Sequence, residues 1–411
     1  MSEQVFVYID LDGKAYLTGR LYIHSRKGRE SASFEYDSKW LKHSLRFSLD
    51  PTLKLGAGAF HTAPDKKLFG AIGDSAPDRW GRNLMDRSAK READFRHLKE
   101  VDYLLRVNDI ARLGALRFSL SEGGDFLENK PFDGIPPLIE LPKLLNSADS
   151  FIKDGGNDDQ IRDLLAPGSS LGGARPKATV MDTNSKLKLA KFPSPNDNYD
   201  EVSWEAVTLN LASKAGINTP EYELIEVSNR KVLLLDRFDR HGLIRIPFIS
   251  GMSMIEAVDR EKRSYLELAD VIRTNGAFPK SDLHELWKRI VFTVLVSNTD
   301  DHMRNHGFLY VGTDGWTLSP MYDVNPDPSG KRELRSSIDM YDYTASIDTA
   351  LTVIDYFNLT LLDAKKIIKE IAVLTSQWYG IAKSIGIEKK DIDIMETAFE
   401  HDELISALGL G

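Results

Sequence analysis

No cysteine occurs in the 411 residues, which removes disulfides, thiol nucleophiles and thiolate metal sites together and fits a reducing compartment. No apolar run approaches the roughly 18 residues that a membrane helix needs. The first residues, Met-Ser-Glu-Gln, run straight into "VFVYIDLDG" without a basic stretch or a cleavage signal, so we expect a soluble cytoplasmic protein with no membrane partner. Excess positive charge is missing too. The 53 basic residues against 62 acidic ones leave a net charge of −9, which argues against a whole-surface grip on nucleic acid, though not against a local basic patch. There is no internal repeat and no low-complexity tract. What is there is ordinary for a folded chain: 42% hydrophobic and 28% charged residues, at a length that allows two or three domains.

The order of patterns divides the chain. "VFVYIDLDGKAYLTGRLYIH" alternates as strands do about an Asp12-Gly13 turn, and "ESASFEYD" predicts a third strand. From Asp74, "DSAPDRWGRNLMDRSAKREADFRHL" reads as one or two helices, and "LLRVNDIARLGALRF" continues this mixed region. Residues 128–160, with "NKPFDGIPPLIELP" and "DGGNDDQ", form the best linker candidate. A second β-rich block follows, with strands at "KLKLAKF", "ELIEV", "KVLLLDRF" and "IRIPFI", and one helix over "NDNYDEVSWEAVTLNLASKAGI" that stops at Gly216. Beyond residue 260 the chain turns helical. "SDLHELWKRIVFTVLVSN" places Leu283, Leu286, Trp287, Ile290, Val291, Val294 and Leu295 on one face behind a predicted Ser281 cap, and Thr360 caps another helix. We therefore expect an α+β protein in three parts. They are a β-rich and helical subdomain over 1–125, a sheet lobe over 126–245 and a mostly helical lobe over 246–411.

The densest run of reactive side chains is "SNTDDHMRNHGFLYVGTDGWTLSPMYDVNP". Asp300 is followed five positions later by Asn305, then by a hairpin turning at Gly312 to Gly315, then by Asp323. A carboxylate, an amide, a hairpin and a second carboxylate is the layout of a protein-kinase active site. Phosphoryl transfer asks little covalent chemistry of the protein: hard-oxygen ligands for Mg²⁺ and a base in line with the γ-phosphate. Asp301 is expected to be a solvated neighbour, His302 to sit near the phosphates and His306 to be structural. His302 and His306, four apart, could share a metal on a helix, but the strand onset at Gly307 argues against one. Upstream, "APGSSLGGARPKATV" matches neither G-x-x-x-x-G-K-[ST] nor G-x-G-x-x-G. Its glycines and Lys177 can still offer backbone N–H groups and a cation to phosphate. Lys191 ends the following strand and can pair with phosphates. Glu205, early on the next helix, either holds that lysine or complements the helix dipole. "LLLDRFDR" (233–240) suits a hinge that offers backbone groups to adenine.

Taken together, "GRLYIH", "SFEYDSKWL", "DSAPDRWGRNLMDR", "ALRFS", "SSLGGARPKA", "KLAKFP", "LDRFDR", "NTDDHMRN" and "SPMYDV" resemble the HipA family of bacterial serine/threonine kinase toxins over nearly the whole chain. The resemblance implies a two-lobed protein-kinase-like fold, with ATP and Mg²⁺ as cofactors. Asp300 would be the catalytic base, and Asn305 and Asp323 the metal ligands. Gly172, Gly173, Ala174, Arg175, Pro176 and Lys177 would form the phosphate loop, with Lys191 on the α/β-phosphates. Asp236, Arg237 and Phe238 would bracket adenine, with His302 and Tyr322 close to the nucleotide. Ser170, or Ser169 beside it, would be autophosphorylated and so switch the kinase off. The implied partners are a HipB-like helix-turn-helix antitoxin, operator DNA reached mainly through that antitoxin, and a protein substrate modified on serine or threonine. Two other readings compete. One is a catalytically weak kinase-fold corepressor acting through a DNA-binding partner. The other, ranked last, is a metal-dependent hydrolase using Asp300, Asp301, His302 and Asp323, which leaves the glycine loop and Lys191 without a role.

Overall fold

The Asp12-Gly13 turn forms as its chemistry demands. Both residues take positive φ, 52° and 78°, as a two-residue hairpin turn that matches strand twist requires. It joins β1 (Glu3–Leu11) to β2 (Lys14–Arg26), and β3 (Arg29–Tyr36) pairs on the far side of β2. With β4 (Ala59–His61) and β5 (Leu116–Ser119) the sheet runs β4-β3-β2-β1-β5. Register aligns Val5 with Leu21 and Leu21 with Phe34. All three are fully buried, so the apolar alternation of three strands meets on one face. Gly19 is needed there, because a Cβ would lie 2.3 Å from the Glu35 carbonyl oxygen.

The computed structural model describes residues 3–26, 28–92, 96–128, 135–168 and 173–410. The chain folds as two compact units, Met1–Asn196 with Ile225–Glu256, and Asp197–Leu224 with Ala257–Gly411. In the first unit, much of the expected linker is helix. Leu141–Asp154 and Asp158–Leu165 are helical, because Leu141, Leu144, Leu145 and Ala148 fall at the i, i+3, i+4, i+7 spacing of one apolar stripe. Gly155 ends the first helix at φ 86°, and an Asn157–Gln160 capping box starts the second. These helices and the helix Arg79–Ala89 pack through Trp80, Leu84 and Leu164 on a second sheet. That sheet contains β6 (Lys177–Met181), β7 (Leu187–Lys191), β8 (Tyr222–Val227) and β9 (Arg230–Asp236), in the order β6-β7-β9-β8. The expected strand over "IRIPFI" is two short ones, Ile244–Arg245 and Phe248–Ser250, with Pro247 in the gap.

The second unit is mostly helical. The helix Glu201–Lys214 is capped by Asp200 and followed by Gly216 at φ 67°. Ser264 and Glu267 form a capping box on the helix Tyr265–Asn275. The long helix spans Pro279–Leu295 rather than starting behind Ser281. Pro279 takes the first turn, where its missing N–H costs nothing, and Ser281 lies inside the helix. Thr360 caps Leu361–Thr375 as read, accepting the Asp363 N–H at 3.1 Å. Trp378–Ile385, Lys389–Phe399 and Asp402–Gly409 complete the helices. The predicted hairpin is Gly307–Tyr310 paired with Trp316–Leu318. The architecture is α+β, with a β-rich N-terminal region and a helical C-terminal part. Among the described residues, no helix is long and apolar enough to cross a membrane.

Candidate functional site in each unit

In the first unit, the expected phosphate loop is described only from Gly173. Ser169, Ser170 and Gly172 lie outside the described residues. Gly173 takes φ 105°, its carbonyl accepts the Trp80 N–H at 3.2 Å, and the Trp80 indole donates to the Lys177 carbonyl at 3.0 Å. Ala174 is exposed, Arg175 half-buried and Pro176 buried. Lys177 is buried and its Nζ donates to Asp78 Oδ2 at 3.0 Å. Asp78 also caps the helix Arg79–Ala89, its Oδ1 accepting the Gly81 N–H at 2.7 Å. Burial raises the Asp78 pKa, and Lys177 works against that rise. Asp78 carries no role that the sequence alone assigns. Its position just after Pro77 and before a helical run marks a cap, but not a partner for Lys177 a hundred residues on.

Register puts Lys177 directly opposite Lys191 across β6 and β7. Cross-strand partners project from the same face, so two cationic side chains share one face of this sheet. Lys188, on the other face, is buried and pairs with Asp236 at the end of β9. The next residue departs from expectation. The Arg237 side chain is buried and bonded to Asp239 and to the Ala111 and Arg112 carbonyls, so it is turned into the protein. Only its backbone is left for a ligand. The Phe238 ring centroid lies 6.0 Å from that of Phe248.

In the second unit, the helix Pro279–Leu295 leads into the turn that carries Asp300. The Asp300 carboxylate is exposed and Arg335 Nε donates to it at 3.2 Å. Asn305 is buried at the end of a single helical turn, Met303–Asn305, and its amide nitrogen lies 3.5 Å from the Asp300 carbonyl oxygen. His302 is exposed. Two ties bring the Asp323 segment to this turn: Tyr322 OH donates to the Arg304 carbonyl at 2.7 Å, and Thr299 Oγ1 to Asp327 Oδ2 at 2.6 Å. Thr208, on the helix Glu201–Lys214, anchors it from behind by donating to the Val324 carbonyl at 2.6 Å. Asp323 itself takes φ 58°, a left-handed conformation that aspartate tolerates better than most residues. Glu205 is buried on the helix Glu201–Lys214. It belongs to the second unit, and Lys191 to the first.

Asp301 is not a solvated neighbour. It is 2% exposed and accepts from Tyr265 OH at 2.7 Å, with His306 Nε2 at 3.1 Å from the same oxygen. Consecutive side chains leave the turn in opposite directions, Asp300 outward and Asp301 into the core. Burial pushes the Asp301 carboxyl up, but His306 and the Tyr265 hydroxyl outweigh it and hold it below the ordinary carboxylate value. Ser336 Oγ donates to the Asp301 carbonyl at 2.8 Å. His306 is structural, as expected. With Asp301 committed to Tyr265 and His306, the hydrolase reading loses one of the four side chains it named.

Residues 15–119 match the family model described as HipA N-terminal domain, and residues 169–378 match the HipA-like C-terminal domain. The chain belongs to the HipA family. The second match covers both lysines of the sheet face and the whole run from Asp300 to Asp323. Among curated proteins, this HipA-family chain is 25% identical over 338 residues to "Putative kinase Y4mE" of Sinorhizobium fredii, covering 74% of the chain and 75% of that protein. It is 24% identical over 236 residues to a "Putative kinase" of Haemophilus influenzae, covering 51% of the chain and 64% of the relative. In fold it is similar to HipA of a Shewanella oneidensis MR-1 toxin–antitoxin system, solved with HipB and its operator DNA. The TM-score is 0.70 at 14% identity, over 99% of this chain and 96% of that one.

Proposed function

We propose that this HipA-family chain is an ATP- and Mg²⁺-dependent serine/threonine protein kinase and the toxin of a toxin–antitoxin pair. One observation carries the reading. Within the matched C-terminal domain, the Tyr322–Arg304 tie returns Asp323 to the turn that presents Asp300 and Asn305. The donor chemistry fits the cofactors: an amide oxygen and a carboxylate are hard-oxygen ligands of the kind Mg²⁺ prefers. Asn305 and Asp323 would hold the metal, which when bound neutralises phosphate charge. Asp300, on the exposed side of the turn, would take the proton of a serine or threonine hydroxyl as that oxygen bonds to the γ-phosphorus and the bond from phosphorus to the departing ADP breaks. Lys177 and Lys191 would face the phosphates from one sheet face, and the backbone of Asp236–Phe238 would receive adenine.

The regulatory part of the proposal concerns Ser170 and Ser169, at the head of the glycine stretch. Phosphorylation there adds about −1.5 to −2 charge at neutral pH, in a loop whose own cations would otherwise serve ATP. A HipB-like helix-turn-helix protein is the proposed partner, in line with the complex of the Shewanella HipA. The net charge of −9 suits a division in which the partner makes most contacts to operator DNA.

The experiment is incubation with γ-labelled ATP and Mg²⁺, wild type beside Asp300→Ala. Label on Ser169 or Ser170 in the wild type only is the expected result, and absence of ATP binding overturns the proposal. A second reading, a weak kinase acting as corepressor, draws on the Arg335 side chain that sits on the Asp300 carboxylate. ATP binding with no label in either protein is what that reading requires.

A further inference from the structure

The "DRFDR" stretch does more than end a strand. Arg237 donates to both oxygens of Asp239, at 2.8 and 2.6 Å, and to the carbonyls of Ala111 and Arg112. Arg240 donates to Asp239 at 2.6 Å and to the carbonyls of Ile110, Arg112 and Gly114, at 3.2, 2.6 and 3.1 Å. Asp239 accepts the Gly114 N–H at 2.7 Å in return. Beside this clamp, Asp109 binds Arg117 at 2.5 Å and Arg245 at 3.0 Å, and Arg117 reaches Asp10 at 3.4 Å. Arg112 spends its guanidinium on the Ser75 and Val107 carbonyls.

Arg112, Arg117, Arg237, Arg240 and Arg245 thus gather around Asp10, Asp109 and Asp239 in a nearly dry region of the first unit. Buried ions are a weak source of stability, since apolar side chains of the same volume often serve as well or better. What ions do supply is direction, because each guanidinium fixes its acceptors in a plane. Besides Asp239, the acceptors of Arg237 and Arg240 include the backbone carbonyls of Ile110, Ala111, Arg112 and Gly114, within the matched N-terminal domain. Arg237 lies within the Asp236–Phe238 backbone and Arg240 two residues beyond it, both within the C-terminal domain. That backbone is also tied on both sides, the Arg237 N–H to the Leu187 carbonyl at 3.3 Å and the Ile246 N–H to the Asp239 carbonyl at 3.0 Å.

We propose that Arg237, Asp239 and Arg240 are positioning residues for nucleotide binding, holding the Asp236–Phe238 backbone in one conformation against the 110–114 segment. The affinity for the purine then depends on a loop of the N-terminal domain. This inference rests on the kinase reading above.

The test uses the full chain and compares wild type with Arg240→Lys, Asp239→Asn and, as a control, Leu21→Ala in the core of the first sheet, a side chain that makes none of these ion pairs. Arg240→Lys keeps the charge beside Asp239 and loses the planar reach to three carbonyls, so it decides the matter even where Asp239→Asn does not fold. The expected result is an approximately fivefold rise in KM for ATP, the scale of one hydrogen bond made less well, with kcat at saturating ATP unchanged. Inhibition by inorganic tripolyphosphate, which has no base to be held, should stay as in wild type. Leu21→Ala should lower the melting temperature and leave KM alone. Variants that melt earlier yet keep the wild-type KM would reduce the clamp to a structural device and overturn the inference. A wild type that transfers no phosphate removes the kinase reading itself, and this is seen before any variant is compared.

Discussion

Acid should loosen the C-terminal end of the second unit through one imidazole. His401 caps the helix Asp402–Gly409, its Nδ1 accepting the Leu404 N–H at 3.3 Å, while Nε2 lies 3.1 Å from the carbonyl oxygen of Leu295. One nitrogen accepts and the other donates, which requires the neutral ring. Leu295 ends the helix that leads to Asp300, so the ring joins the last helix to the base of the turn that carries Asp300. Burial, and after it the nearby Arg332, push the His401 pKa down from 6.5 to about 4, against the opposing pull of the Leu295 carbonyl. Because the folded value is the lower one, the unfolded chain takes the proton first. The stabilising contribution is therefore whole above pH 6.5 and lost as pH falls to about 4. For a fully shielded ring, linkage gives a loss of about 2 kcal/mol between pH 7 and pH 5, and partial exposure reduces this to about 1 kcal/mol. His401→Asn keeps an acceptor at the cap and cannot titrate. Urea unfolding at the two pH values, with hydrogen exchange over residues 402–409 as the local probe, should show the wild type losing about 1 kcal/mol more than this variant. Equal losses in the two proteins would refute the assignment.

Three further outcomes follow from the same geometry. Lys177→Met leaves Asp78 buried beside an apolar chain and should cost about 3 kcal/mol in thermal unfolding. Adding Asp78→Asn should recover most of it, because the amide oxygen can still accept the Gly81 N–H. Leu144→Ala empties the stripe that packs the helix Leu141–Asp154 on the second sheet, and should cost about 2–5 kcal/mol by denaturant melting. Asp300→Ala removes an exposed carboxylate, so stability should stay within about 0.5 kcal/mol of wild type while phosphate labelling disappears.

Local chemistry was the legible part. The Asp12-Gly13 turn, the Thr360 cap, the Gly312–Gly315 hairpin and the face of the helix Pro279–Leu295 each depend on neighbours within a few positions, so their signals stand in the sequence. The helix Leu141–Asp154 was hidden because Pro136, Pro137 and Gly155 punctuate its ends and drew attention from the stripe between them. Charged residues were the harder case. Asp301 looks like its neighbour Asp300 until Tyr265 and His306 are seen to meet it. Arg237 looks like a hinge residue until the carbonyls of Ala111 and Arg112 are found on its guanidinium. In both cases the deciding partner is remote in the chain or carries no side-chain signal, and burial of a charge cannot be read without that partner. At the candidate site, the order Asp300, Asn305, Asp323 was visible. The Tyr322–Arg304 tie and the Arg335 contact were not, since each is a backbone or surface contact set by tertiary register.

The arginine clamp also has a bearing on which substitutions the chain can accept. Its acceptors at Ile110, Ala111 and Arg112 are main-chain carbonyls, a group every amino acid carries, whereas its donors are specific side chains. A saturation library should therefore be lopsided. Ile110 and Ala111 would tolerate change limited only by the space around their own side chains. Arg237, Asp239 and Arg240 would tolerate far less, and Gly114, at φ 73° with the Phe248 backbone 3.2 Å from any added Cβ, would side with them. Two segments bound to each other would drift at very different rates.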